Sequence, residues 1–209
     1  IASGRNAAIC NCVAISTAIF SLGYLFLTND FSVAYIAAHS SIDLPLHFQI
    51  SSIWGGQEGS LLFWSWILTV YSALAIAQNR NKHRAMMPYV TSVLMGTSLF
   101  FTAMHLFVVN PFKLGGIQMP NGAVSLFHPN DGAGLNPLLQ DTLMVIHPPM
   151  LYTGMVGFAV PYAFAIAALI TRQLGDTWIR TTRRWTMIAW GVLAIGILLG
   201  GSWAYHELV

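Results

Sequence analysis

The chain has 209 residues, of which 56% are hydrophobic and 8% charged, and its net charge is +2. Soluble domains carry roughly 25% charged residues, so this balance excludes an ordinary soluble domain, and so small a positive charge excludes a nucleic-acid partner. The apolar runs are long and continuous rather than alternating, which argues against strands and a β-barrel. They predict an all-α, polytopic membrane helix bundle, a single transmembrane domain over residues 1–209.

A spanning helix needs about 20 mostly apolar residues. Five segments qualify, in chain order: Ala7–Leu27, Gly59–Gln78, Met86–Val109, Pro149–Ile170 and Trp185–Tyr205. At the start of the first, Cys10 and Cys12 form a C-x-C, which is neither a redox C-x-x-C nor a metal site; small buried packing residues are the expectation. The first apolar stretch is too long for a signal peptide and lacks a small-residue cleavage site. The connection Thr28–Trp54 is long, and Leu44–Trp54 within it is predicted to be a short interfacial helix with Leu44, Phe48 and Ile50 toward lipid. The connection Asn110–Ile146 is rich in turn formers, among them Asn110-Pro111, Pro120-Asn121-Gly122 and Asn136-Pro137. Both exceed the 12–15 residues usual for a structureless loop, which places function on their side of the membrane.

The charges orient the bundle. Arg5, the trio Arg80, Lys82 and Arg84, and the group Arg172, Arg180, Arg183 and Arg184 all fall on one side of a five-helix chain, with Lys113 on the other. The positive-inside rule makes the basic side cytoplasmic, or matrix in a mitochondrion. Asp30, Asp43, Glu58, Asp131, Asp141 and Glu207 gather on the opposite side, and Asp176 stays inside. The basic loops also suit contact with anionic membrane lipid.

The stretch Leu135 to Phe158 holds the residue of greatest interest, His147, followed by Pro148 and Pro149. An ionisable side chain at membrane depth is costly and marks a functional site. Pro148 suits a first helical position, and a residue before proline is pushed from the α region, so His147 is expected at a hinge where an outer loop enters the helix. A neutral, fixed imidazole there has the properties of an axial ligand to haem iron. A second cluster, Trp54-Gly55-Gly56-Gln57-Glu58-Gly59-Ser60, reads either as an interfacial aromatic belt over a glycine-eased helix start or as the floor of an outer pocket shaped by Glu58 and the glycines. His39, His47, His128 and His206 lie on the outer side without metal-ligand spacing, His83 in a solvated inner loop, and His105 inside the third helix, bonded to a neighbour. Seven acids show no pairing suited to general acid–base work, and no phosphate loop or nucleophile elbow is found.

These blocks together resemble the haem-handling membrane proteins of cytochrome c biogenesis, most closely the cytochrome c maturation protein F (CcmF) family and its nitrite-reductase-specific relatives. The matching residues are Asn29-Asp30-Phe31-Ser32-Val33, Trp54 through Leu62, Asn110-Pro111-Phe112, Leu135 through Asp141, His147-Pro148-Pro149-Met150-Leu151-Tyr152, and Gly200 through Leu208 with Trp203-Ala204-Tyr205. Gln57, Thr142 and His206 depart from the common pattern. The resemblance implies part of a haem lyase, which takes haem from a haem chaperone at the outer face and joins its vinyl groups to the thiols of a C-x-x-C-H in apocytochrome c. It implies that His147 is one axial ligand of that haem iron. Trp54, Gly55, Gly56, Glu58, Gly59, Asn136 and Asp141, with Pro148, Pro149 and Trp203, become its surroundings. Other cytochrome c maturation subunits are implied partners, and the bacterial inner membrane the location, with the mitochondrial inner membrane as alternative.

In the family a tryptophan-rich haem-binding segment follows the Trp-Ala-Tyr-x-Glu-Leu stretch, and an earlier helix precedes it. A chain running from Ile1 to Val209 is therefore expected to be a fragment or a split subunit, retaining haem weakly alone. The rival readings are a transporter or ion-conducting subunit, whose polar site would sit near the midplane on broken helices, and a structural scaffold.

Overall fold

The computed structural model describes residues 2–118, 124–126, 129–173 and 175–208; His128 and the Pro120-Asn121-Gly122 turn lie outside them. Five spans cross the bundle: α1 (Ala2–Leu27), α4 (Gln57–Gln78), α5 (Met87–Phe107), the pair α6 (Thr142–Gly157) and α7 (Ala159–Thr171), and α8 (Thr177–Leu208). Each has the length and composition to cross a membrane, so the chain is a multi-pass membrane protein. Two short helices, α2 (Ala34–His39) and α3 (Leu46–Ser51), lie in the connection between α1 and α4. In the other long connection, β1 (Gly116–Gln118) pairs antiparallel with β2 (Val124–Leu126), a local hairpin that the apolar pattern did not predict.

Helix α1 stops at a polar residue able to adopt the left-handed conformation. Asn29 has φ 50°, its N–H bonds Phe26 O, and the next N–H, from Asp30, reaches back to Leu25 O. This is a Schellman ending with asparagine in the usual glycine place. Arg172 ends α7 the same way, with φ 55° and Gln173 N–H on Ala168 O.

Three apolar clusters hold the described spans, one of them Ile67 and Leu68 of α4 with Val156 of α6. At the basic end, Val90 and Leu94 of α5 pack on Val160, Phe164 and Ala167 of α7. At the loop end, Leu22 and Phe26 of α1 enclose Tyr35 and Ile36 of α2 and Leu62 of α4. The most extensive helix contact is α6 on α8. A Cβ on Gly154 would strike the Leu193 backbone at 2.5 Å, and one on Gly196 would meet Leu151 N at 2.8 Å. Between helices in lipid there is little hydrophobic drive, so close backbone approach across small residues supplies the contact.

The two long connections are stitched together. Ala34 N–H bonds Lys113 O, Gly115 N–H bonds Ser32 O, and Ala133 N–H bonds Ala37 O. Asp131 accepts from Ile42 N–H. The loops thus form one cap over the end of the bundle.

Several sequence expectations change. Leu44 is buried rather than lipid-facing, and Leu46 and Ile50 are the exposed apolar residues of α3. Cys10 is exposed on α1, not a buried packing residue. His83 is half-buried and bonds Thr181 Oγ1 at 2.9 Å, which ties the α4–α5 connection to the first turns of α8. Helix α8 begins at Thr177, eight residues before Trp185.

Candidate functional site

Helix α6 starts earlier than the prolines suggest. Asp141 is its N-cap, accepting from Leu143 N–H at 2.7 Å and Met144 N–H at 3.3 Å, and its carbonyl accepts from Val145. His147 is therefore in the second turn, and Pro148 and Pro149 lie inside the helix. The hinge expected at His147 is absent. A capped helix carries its own hydrogen bonds at membrane depth, where irregular backbone is costly. The prolines cost the N–H bonds to Met144 O and Val145 O without ending it.

The His147 ring reaches across to α8. Its Nδ1 lies 2.7 Å from Gly196 O. A carbonyl can only accept, so Nδ1 carries the proton and, in the neutral ring, Nε2 keeps its lone pair. Nε2 has no hydrogen-bond partner among the described residues and is not one of the sealed side-chain nitrogens. The ring is half-buried and lies against Gly200, where any Cβ would overlap its Cε1. Gly196-x-x-x-Gly200 thus does two jobs: the first glycine gives its carbonyl, the second gives space. This GxxxG in α8 is the signal in the sequence that the His147 stretch alone did not reveal.

The other motif residues are tied to α6 and α8 through specific bonds. Tyr152, five residues beyond His147, donates to Ser60 Oγ at 3.3 Å, and Ser60 in turn donates to Trp54 O. Trp203 Nε1 donates to Leu138 O at 3.3 Å, fixing the end of α8 to the Asn136–Asp141 segment. Asn136 is exposed and caps the 3-10 turn Pro137–Leu139 through Leu138 N–H. Asn136 and Asp141 both serve the local fold that sets up α6. A Cβ on Gly55 would contact Leu135 at 2.9 Å, so the Trp54 and Leu135 stretches touch directly.

Beside them a buried tyrosine organises the glycines. Tyr35 OH donates to Ser52 O at 3.1 Å and accepts from Gly56 N–H at 3.0 Å. Burial pushes its phenol well above the ordinary range, with smaller opposing help from the Gly56 backbone. Gly56 lies against the His39 ring and Gly59 against the Ile53 carbonyl, so neither tolerates a side chain. His39 Nδ1 donates to Tyr35 O at 2.9 Å while its ring covers Tyr35 at 4.4 Å. Glu58, half-buried in the first turn of α4, suits the positive end of that helix dipole.

Trp54, Trp64 and Trp66 are half-buried and packed on neighbouring side chains, whereas Trp190 is exposed. Trp54 packs on Phe63 at 5.3 Å, Trp64 on Tyr152 at 6.1 Å, and Trp66 Nε1 bonds Ser16 Oγ. Trp54 Nε1 is buried and lacks a partner among the described residues. His105 Nε2 bonds Ser65 Oγ of α4 at 2.8 Å, as a half-buried helix-to-helix tie. His47 is exposed on Phe48, and His206 is exposed beside Tyr205. No group of three metal-ligating side chains occurs among the described residues.

A five-span helical membrane protein with one imidazole seated on a glycine-lined helix, beneath a stitched loop cap, is the class defined by this geometry. The family model described as "Cytochrome C assembly protein" matches residues 54–208. The chain is 44% identical over 187 residues to the cytochrome c-type biogenesis protein CcmF of Pseudomonas fluorescens, covering 90% of this chain and 27% of that protein. It is 42% identical to the Haemophilus influenzae CcmF, over 93% of this chain and 28% of that protein. It is 40% identical to the NrfE protein of the same organism, over 94% and 29%. A solved structure titled "Cytochrome c Heme Lyase CcmF" superposes with a TM-score of 0.79 at 32% identity, over 96% of this chain and 30% of that one. The chain belongs to the cytochrome c assembly protein family, and it spans less than a third of the length of these relatives.

Proposed function

We propose that this chain is the His147-bearing part of a haem lyase in cytochrome c maturation, with haem as substrate and His147 Nε2 as one axial ligand to its iron. The observation that carries the reading is the Nδ1–H bond to Gly196 O at 2.7 Å. An imidazole held at one nitrogen by a backbone carbonyl presents the other as a fixed lone pair, which is how metal-binding histidines are oriented. The Trp54–Ser60 and Leu135–Asp141 stretches are tied to the helices that carry and seat the ring, Ser60 to Tyr152 of α6 and Leu138 to Trp203 of α8, and haem approaches from the cap end. The partners proposed are a haem chaperone that delivers the porphyrin, an apocytochrome c that receives it, and other maturation subunits. Each thiol would add across a vinyl group, its S–H hydrogen going to one carbon and sulfur to the other, so no atom is lost.

Sidedness follows the same reading. The cap end carries Asp43, Asp131 and Glu58, and the other end carries Arg80, Lys82, Arg84 and Arg172 in its turns and Arg180, Arg183 and Arg184 at the start of α8, which supports a cap on the periplasmic face of a bacterial inner membrane.

The test is His147→Ala in the intact protein, with c-type cytochrome yield and the reduced-minus-oxidised haem spectrum as readouts. Lost assembly and an altered haem band are expected, with folding checked by gel filtration. Full assembly with an unchanged spectrum would remove His147 from the haem site and leave a scaffold.

A further inference from the structure

At the opposite end of the bundle, two adjoining hollows lie between α4, α8 and the end of α6. One of about 390 Å³ is walled by Tyr71, Gly157, Trp185, Ile188 and Ala189. The second, about 350 Å³, is walled by Asn79, Lys82, Arg180, Thr181 and Arg184. Gln78, Arg184 and Trp185 border both. We propose that the pair is a site for one anionic phospholipid, its phosphate between Lys82 and Arg184 and one acyl chain running along Trp185 toward Gly157.

The groove exists because small residues leave it open. Gly157 has no side chain and packs against Ala189, while Tyr71 and Trp185 stand edge to face at 5.4 Å as its walls. From Tyr71 to Gln78 the helix rises about 10 Å, roughly two-thirds of one leaflet of a ~30 Å hydrocarbon core. An apolar hollow of that depth meeting a cationic one at the membrane boundary matches the two halves of a phospholipid.

The charges favour an anion. Lys82 and Arg184 are exposed and make no ion pair among the described residues, whereas Arg180 is paired with Asp176 at 2.7 Å. Asn79 and Thr181 border the same hollow, but Asn79 Nδ2 already donates to Ala75 O and Thr181 Oγ1 is bonded to Thr177 O and His83, so the attraction rests on Lys82 and Arg184. Basic pockets between spans on the positive side of a membrane are where anionic headgroups collect. A free phosphate would use the polar hollow but has no use for the apolar one, and this favours a lipid. The site is separate from His147, which lies ten residues, or about 15 Å of helix, from Gly157.

The intact protein, purified in neutral detergent and stripped of lipid, is titrated with dioleoylphosphatidylglycerol or dioleoylphosphatidylcholine, and bound lipid is counted by native mass spectrometry. Phosphatidylglycerol should bind about tenfold more tightly, since each basic side chain contributes several-fold. The double variant Lys82→Gln/Arg184→Gln should abolish that preference, and Arg172→Gln, outside the groove, should not. Lipid brominated along its acyl chain should quench fluorescence that Trp185→Phe removes. Equal binding of both lipids, an unaffected double variant, or no quenching at Trp185 would overturn the proposal. So would displacement of the lipid by inorganic phosphate at equal concentration, which would mean a phosphate site alone.

Discussion

The seat of His147 can be tested without touching the histidine. Gly200→Ala adds one methyl that would overlap Cε1 and lie 2.9 Å from Nδ1 and 3.0 Å from Nε2. Ordinary contact begins near 3.4 Å, so the ring must withdraw by about 0.5 Å at Nδ1 and by more at Cε1. It is anchored one turn away at Gly196 O, 2.7 Å from Nδ1, and cannot withdraw without lengthening that bond or leaving its rotamer. Overpacking of this kind costs about 1–3 kcal/mol, while alanine in place of helical glycine returns about 1 kcal/mol. Global stability should therefore change little although the imidazole is displaced. In the intact protein the thermal midpoint should stay within a few degrees, while c-type cytochrome yield falls about tenfold, the equivalent of some 1.4 kcal/mol of lost ligand positioning. Gly201→Ala, whose Cβ would enter open space, should leave both unchanged. If Gly200→Ala assembled cytochromes normally and kept the parental haem spectrum, contact with Gly200 would not be what seats the ring.

Asp141→Ala removes the cap on α6 and should destabilise the protein by about 0.5–2 kcal/mol, read by thermal unfolding in detergent; Asp141→Asn should recover most of this. Tyr35→Phe leaves the Gly56 N–H without its acceptor and should cost about 1–3 kcal/mol at neutral pH. The Tyr35 phenol is raised above its ordinary 10.0 in the folded chain, so the folded state holds that proton more tightly than the unfolded one. Its contribution is complete below pH 10 and declines as pH rises beyond it; the alkaline decline measured by unfolding should shrink in Tyr35→Phe, and an identical decline would exclude Tyr35 as its source. Gly154→Val would drive a side chain into the Leu193 backbone, and loss of the monodisperse gel-filtration peak is expected; a normal peak would mean that α6 and α8 can separate there.

The five spans were legible because each carries enough continuous apolar sequence to cross a bilayer, and the matching blocks made the family legible too. Boundaries were harder where polar residues join a helix. Arg180, Arg183 and Arg184 read as loop, but α8 runs for 32 residues, about 48 Å, and so projects beyond a ~30 Å core with its arginines on helix. The two prolines after His147 read as a helix start, but Asp141 had already capped one. The short helix α3 falls within the predicted Leu44–Trp54 segment, whereas α2 was hidden because its Tyr35 and Ile36 pack against Leu22 and Phe26 of α1, which a chain-local pattern does not show.

What composition and spacing settle by themselves is a bundle of five membrane helices with its charges sorted by end and a histidine placed where apolar surroundings demand a partner. That much needs only the cost of leaving charge and unpaired backbone in hydrocarbon. Which ring nitrogen of His147 holds the proton depends on a carbonyl 49 residues away, and its space depends on a side chain that Gly200 lacks. Such relations arise only when α6 lies on α8, because hydrogen bonds and steric contact act over a few ångströms in space and leave no trace in the separation along the chain.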